Sequence, residues 1–85
     1  MRHVTGAGLD ELDGLLADLR LVDGLKEKSR GVFYRGPRAF LHFHEDPTGL
    51  YADVRLDGAE FERMRVSTKA ERKRLLTRVR AVMRR

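Results

Sequence analysis

The sequence predicts an α+β domain in which helices cover one face of a three-stranded antiparallel meander, and three observations carry that expectation. Between Gly31 and Leu56 the run GVFYRGPRAFLHFHEDPTGLYADVRL alternates apolar and polar residues and is cut by two turn signals. Ahead of it, Leu9, Leu12, Leu15, Leu16 and Leu19 recur at the spacing of one helical face, with Val22 in register. Behind it, Leu75, Leu76, Val79, Val82 and Met83 form the stripe of a C-terminal amphipathic helix. Each amphipathic helix needs an apolar partner, and the core face of the sheet supplies one.

Residues 1–8 read as a loose, glycine-rich tail. Their TGAG run is no dinucleotide fingerprint, because no strand precedes it and the glycine spacing is wrong. The first helix starts near Leu9, with Asp10, Glu11 and Asp13 in the turn where the helix dipole favours negative charge. Gly14 weakens it by roughly 1 kcal/mol relative to Ala. Asp23-Gly24 ends it, Gly being the natural left-handed cap. Leu25 to Arg30 is a charged connection into the meander.

The meander's register follows from its turns. Gly36-Pro37 has the glycine-first pattern of a type II′ hairpin, which pairs Arg35 with Arg38, Tyr34 with Ala39, Phe33 with Phe40 and Val32 with Leu41. Asp46-Pro47-Thr48-Gly49 suits a type I turn. It sets Glu45 against Leu50, His44 against Tyr51, Phe43 against Ala52, His42 against Asp53, Leu41 against Val54 and Phe40 against Arg55. A slip of one residue would mix core and solvent faces; a bulge at Gly49 would shift only the pairs near the turn. One face then holds Val32, Tyr34, Ala39, Leu41, Phe43, Ala52, Val54 and Leu56. The other holds Phe33, Arg35, Arg38, Phe40, His42, His44, Tyr51, Asp53 and Arg55, aromatic and ionisable together.

Asp57-Gly58 is a further turn signal. Residues 59–66 are open between a helical turn followed by an edge strand at Met64–Val66 and a complete fourth strand, whose alternating charges would suit an exposed edge. Thr68 and Glu71 have capping-box spacing, and the closing helix runs from there to about Met83.

Eighty-five residues make a single domain, residues 1–85, with no room for a second core. The absence of cysteine excludes a disulfide framework, a thiolate metal site and a cysteine nucleophile, and it suits a reducing compartment. No apolar run approaches the roughly 20 residues of a membrane span. MRHVTGAGLDEL lacks the apolar segment of a signal peptide, so a cytoplasmic protein without a membrane partner is expected. The net charge of +5 is uneven. Residues 1–24 carry five acidic and two basic side chains, residues 63–85 ten basic and one acidic. That polarity points to nucleic acid, an acidic partner, or pairing between the two ends of the fold.

Three constellations follow. His42 and His44 project from one strand face with Asp53 opposite, a nitrogen–oxygen set of the kind zinc accepts. The bland alternative is a pair of strand histidines, one hydrogen-bonded to Asp53. As an acid–base dyad the set lacks a placed nucleophile, since Ser29 precedes the first strand and Ser67 and Thr68 read as caps. No cofactor is expected. Phe33, Phe40 and Tyr51, interleaved with Arg35, Arg38 and Arg55, form a candidate stacking platform for single-stranded nucleic acid. Against it stands a face covered by a helix or a second subunit, with Arg55 lying over Phe40. The basic helix, with Arg74 and Arg78, is a candidate phosphate-docking surface; the alternative is a solvated face offset by the acidic first helix.

VDGLKEKSRGVFYRG, FLHFHE and GLYADVRL, within Leu21–Leu56, resemble part of a bacterial family of small domains called luciferase-domain proteins. The similar elements are Gly24, Gly31, His42, His44 and the Ala52-Asp53 pair. The resemblance covers less than half the chain and implies a helix-then-meander fold, with no substrate and no catalytic residue.

The sequence thus supports three functional classes: a small non-enzymatic interaction domain, including a homodimer; a nucleic-acid-binding module; and a metal-dependent or acid–base enzyme centred on His42, His44 and Asp53.

Overall fold

Turn chemistry and alternation build the centre of the molecule. The computed structural model describes residues 1–84. In chain order it runs through β1 (Arg2–His3), α1 (Gly6–Glu11), α2 (Asp13–Arg20), β2 (Leu25–Ser29), β3 (Val32–Arg35), β4 (Arg38–Asp46), β5 (Gly49–Val54), β6 (Glu62–Arg65) and α3 (Lys69–Met83). The class is α+β. All strand pairs are antiparallel, in the order β2-β3-β4-β5-β6, and β1 pairs with β4 off that path.

The β4–β5 ladder has the register that alternation predicts, from Leu41 opposite Val54 through His42 opposite Asp53 to Asp46 opposite Gly49, without a bulge. Gly36 turns with φ +57, the positive first corner that the glycine-first hairpin needs. The β3–β4 ladder departs from expectation. Arg35 pairs with Arg38 and Tyr34 with Ala39, but Phe33 then pairs with Leu41, leaving Phe40 as the extra residue of a bulge. That step rotates Phe33 onto the face of Leu41 and Phe43. Phe33 and Phe40 both end in the core.

The sheet has six strands instead of three. Leu25–Ser29, expected as a connection, pairs with β3 as an outer strand. Its exposed Lys26 and Lys28 hide it from a hydrophobicity reading. Of residues 59–66, which the sequence leaves open between two readings, only Glu62–Arg65 form an edge strand, β6, paired along β5 from Val54–Glu62 to Tyr51–Arg65, and a bend instead of a helical turn precedes it. The expected loose tail is also structured: Arg2 and His3 pair with Glu45 and His44. Thr5 then caps α1 by accepting from the Gly8 amide, while Glu45 accepts from the Thr5 amide and hydroxyl.

The first helical stretch breaks at Leu12 into α1 and α2, with the leucine stripe continuous across the break. In α3 the capping box forms: Thr68 accepts from the Glu71 amide and Glu71 accepts from the Thr68 amide. The helices pack over the sheet face of Leu41, Phe43, Ala52 and Val54, where Leu12, Leu16, Leu19, Leu75 and Val79 complete the core. Strand alternation leaves His42, His44 and Asp53 on the opposite face. Among the described residues, no helix is long and apolar enough to cross a membrane.

Candidate metal centre

The open face of the sheet gathers side chains from four strands. β4 supplies His42 and His44 two residues apart, β5 supplies Asp53 opposite His42, β6 supplies Arg63 opposite Asp53, and β1 supplies His3 opposite His44. The His44 Nε2 lies 3.1 Å and the His42 Nε2 3.5 Å from the same oxygen, Asp53 Oδ2. One donor atom from each of the three residues lies within 4.8 Å of the others. A zinc-class ion with bonds of about 2.0–2.2 Å to nitrogen and oxygen sets its ligand atoms roughly 3–3.5 Å apart, which is the spacing of both His–Asp edges.

Arg63 grips the carboxylate with two bonds, Nε to Oδ1 at 2.8 Å and Nη2 to Oδ2 at 3.0 Å. These bonds hold Asp53 below the usual carboxylate range against the opposing effect of its own burial. Burial also lowers His42 from its ordinary value; the Asp53 charge pulls the other way and does not prevail. The site is therefore an anchored carboxylate beside an imidazole that favours its neutral form. Phe61 meets His42 edge-on at 4.9 Å, and the Arg55 guanidinium lies 4.2 Å over the Phe61 ring. His3 stacks on His44 at 5.2 Å and is not one of the three converging residues.

His44 carries the decisive detail. Its Nδ1 sits 3.3 Å from the Arg2 carbonyl oxygen, and a carbonyl only accepts, so Nδ1 holds the proton. In the neutral ring the Nε2 lone pair then faces a carboxylate oxygen that also only accepts. A proton on Nε2 would turn that contact into an ion pair, and with Nε2 unprotonated a metal ion would fill the same role.

The other sequence-predicted site residues do not assemble into a stacking platform. Phe33 and Phe40 are buried, because of the β3–β4 bulge. Tyr51 is half-buried and its hydroxyl is hydrogen-bonded with that of Thr48 at 2.6 Å. Arg55 covers Phe61, not Phe40. Arg35 and Arg38 are exposed at the hairpin end. On α3, Arg74 is exposed, while Arg78 is paired with Glu62 at 3.0 Å. Ser67 does not cap α3 with its hydroxyl, which accepts from the Leu50 amide. Glu11 and Asp18 of the first helices face Lys69, Arg72 and Lys73 of α3 across a groove, whereas Asp10 and Asp13 pair with Arg30.

Sequence reasoning missed Arg63 and His3. Arg63 becomes legible once β6 is paired from the Asp57-Gly58 turn, but His3 sits in a strand of two residues that carries no periodicity. The chain matches none of the protein-family models, curated proteins or solved structures with which it was compared.

Proposed function

We propose that the protein is a small metal-binding module that takes one zinc-class ion through His42 Nε2, His44 Nε2 and Asp53 Oδ2. The observation that carries this reading is the pair of acceptors at His44 and Asp53, shared by a second imidazole. A proton would satisfy one of these contacts, whereas a metal ion would draw on a donor atom from each of the three residues, which lie within 4.8 Å of one another. The Arg2 carbonyl on His44 Nδ1 and Arg63 on Asp53 act as the outer partners that orient ligands in such sites. Since Arg63 offsets the single carboxylate charge, the set favours ions that prefer nitrogen ligands over calcium or magnesium, which take oxygen cages.

Three protein ligands leave a coordination position for water or an exogenous ligand. Among the described residues, no serine or threonine hydroxyl and no lysine amine contacts the cluster, which supports binding over nucleophilic catalysis. A cytoplasmic setting fits a chain without cysteine. His42, His44 and the Ala52-Asp53 pair are also among the elements that resemble luciferase-domain proteins, so membership of that family belongs to the same proposal.

Calorimetric titration with zinc tests the reading. One equivalent should bind to the wild-type protein, and His44→Ala should abolish the heat while leaving the fold intact. Equal binding by His44→Ala and by His42→Ala would overturn it.

A second reading rests on α3, where Lys73, Arg74, Arg80 and Arg84 are exposed. That face supports docking on nucleic-acid phosphates. Affinity would then fall steeply with salt, and Arg74→Glu would weaken single strands and duplexes alike. Strand-independent loss would support it; no binding tighter than about 100 μM at physiological salt would remove it.

A further inference from the structure

At the far end of the β3–β4 hairpin, three arginines surround a cleft of about 260 Å³. Arg35 and Arg38 are direct cross-strand partners, an arrangement of like charges that costs stability in an antiparallel pair. Arg55 enters from the β5 side. Its Nη1 donates to the Ala59 carbonyl oxygen at 3.2 Å, and its Nε is buried without a partner. No acidic side chain lines this cleft. Of the two acids nearest Arg55 in sequence, Asp53 is held by Arg63, and Asp57 accepts from the Ala59 amide and lines a different groove with Glu62 and Arg78. Across the rest of the sheet and the first helices the arginines have carboxylate partners, as Arg2, Arg20, Arg30, Arg63 and Arg65 do. Among the described residues, the hairpin end shares its unpaired guanidinium groups only with α3 and its C-terminal cap, where Arg74, Arg80 and Arg84 are exposed.

We infer that this cleft binds a phosphomonoester group, held between Arg35, Arg38 and Arg55. Guanidinium forks match phosphate oxygens in pairs, and a monoester carries enough negative charge to offset the Arg35–Arg38 repulsion. Pro37 and Ala39 give the cleft an apolar wall, which suits an organic phosphate better than the free ion. The volume admits a phosphate with part of the group that bears it, compared with about 30 Å³ for each water displaced. The site shares no ligand with the histidine cluster, so it stands or falls apart from the metal reading.

Two sources present a phosphomonoester: a free nucleotide and the 5′-phosphorylated end of a strand. The test measures melting temperature and binding with AMP, with a short 5′-phosphorylated oligonucleotide, with the same oligonucleotide lacking the 5′ phosphate, and with potassium chloride at matched ionic strength. AMP or the phosphorylated strand should raise the melting temperature beyond the chloride control, and the stronger of the two identifies the source. Arg38→Gln should melt higher than wild type without ligand, because the like-charge pair is gone. It should also lose about tenfold or more in affinity, the value of one charge-assisted hydrogen bond. Arg35→Gln gives the same pattern from the opposite strand. Stabilisation no greater than chloride's by both AMP and the phosphorylated strand, equal binding of both oligonucleotides together with no effect of AMP, or full retention in both variants would overturn the inference.

Discussion

His44 turns its Nδ1 to the Arg2 carbonyl at 3.3 Å and its Nε2 to the buried carboxylate of Asp53 at 3.1 Å. The two-residue strand β1 thus places a carbonyl acceptor against the Nδ1 of a histidine in the middle of the sheet. That relationship makes the N-terminal strand part of the site. On the proposed metal reading, it also leaves the Nε2 lone pair of His44 facing the carboxylate, where a cation would be held.

Arg63 is the outer support of the site. It fixes Asp53 with two bonds, and loss of such a partner lowers metal affinity by about 10–100-fold. Arg63→Gln should therefore remain folded, since its side chain is half exposed, while zinc binds correspondingly less tightly in calorimetry. Unchanged affinity would assign Arg63 a purely structural role.

Phe43 is 2% exposed on the helix-facing side of β4, in the core with Leu41, Val54, Leu75 and Val79. Truncation to Ala should cost about 3–5 kcal/mol, a large share of the stability of a domain this small. Chemical denaturation checks the value. A midpoint indistinguishable from wild type would contradict the assignment of the two sheet faces.

These faces were legible because the β4–β5 hairpin obeys both of its signals: alternation, and a turn bounded by Asp46 and Gly49. His42 opposite Asp53 followed from that register. The Phe40 bulge was not legible, since apolar residues at 39, 40 and 41 fit either a bulged or a regular strand. Its consequence was large, because it moved Phe33 from an open aromatic face into the core. β2 escaped notice for a different reason: LKEKS lies at the sheet edge and buries little, so its strand character comes from pairing with β3.

Gly31 joins β2 to β3 at φ +81, a left-handed conformation that L side chains adopt at a cost of about 1–2 kcal/mol. A Cβ there would also come within 2.6 Å of Leu9 Cδ2 on α1. Gly31→Ala should lower the melting temperature by more than an exposed Gly14→Ala, which has open space around it and should raise it. The reverse order would show that Leu9 and the turn accommodate the methyl group freely.

Glu27 ties β2 to α2 and to the following turn. It accepts from Arg20, which does most to hold its carboxyl below the usual range, and from the Gly31 amide. A depressed folded-state value gives stability that is complete above the unfolded carboxyl pKa of about 4.3 and lost as pH falls through the folded value. Glu27→Gln should therefore melt lower than wild type at neutral pH, and the gap should narrow on acidification below that value. A gap independent of pH would show that packing, not charge, is what Glu27 contributes.

The imidazole nitrogens report most directly on the site. Nitrogen-15 spectra of the histidine rings, recorded at neutral pH with and without one equivalent of zinc, distinguish the proton position on each ring from metal ligation. His44 should carry its proton on Nδ1, and zinc should shift the Nε2 signals of His42 and His44 while leaving those of His3 nearly in place. A neutral His44 protonated on Nε2 would make its contact with Asp53 an ordinary hydrogen bond. Together with Nε2 signals that zinc does not move, that result would contradict the metal centre outright.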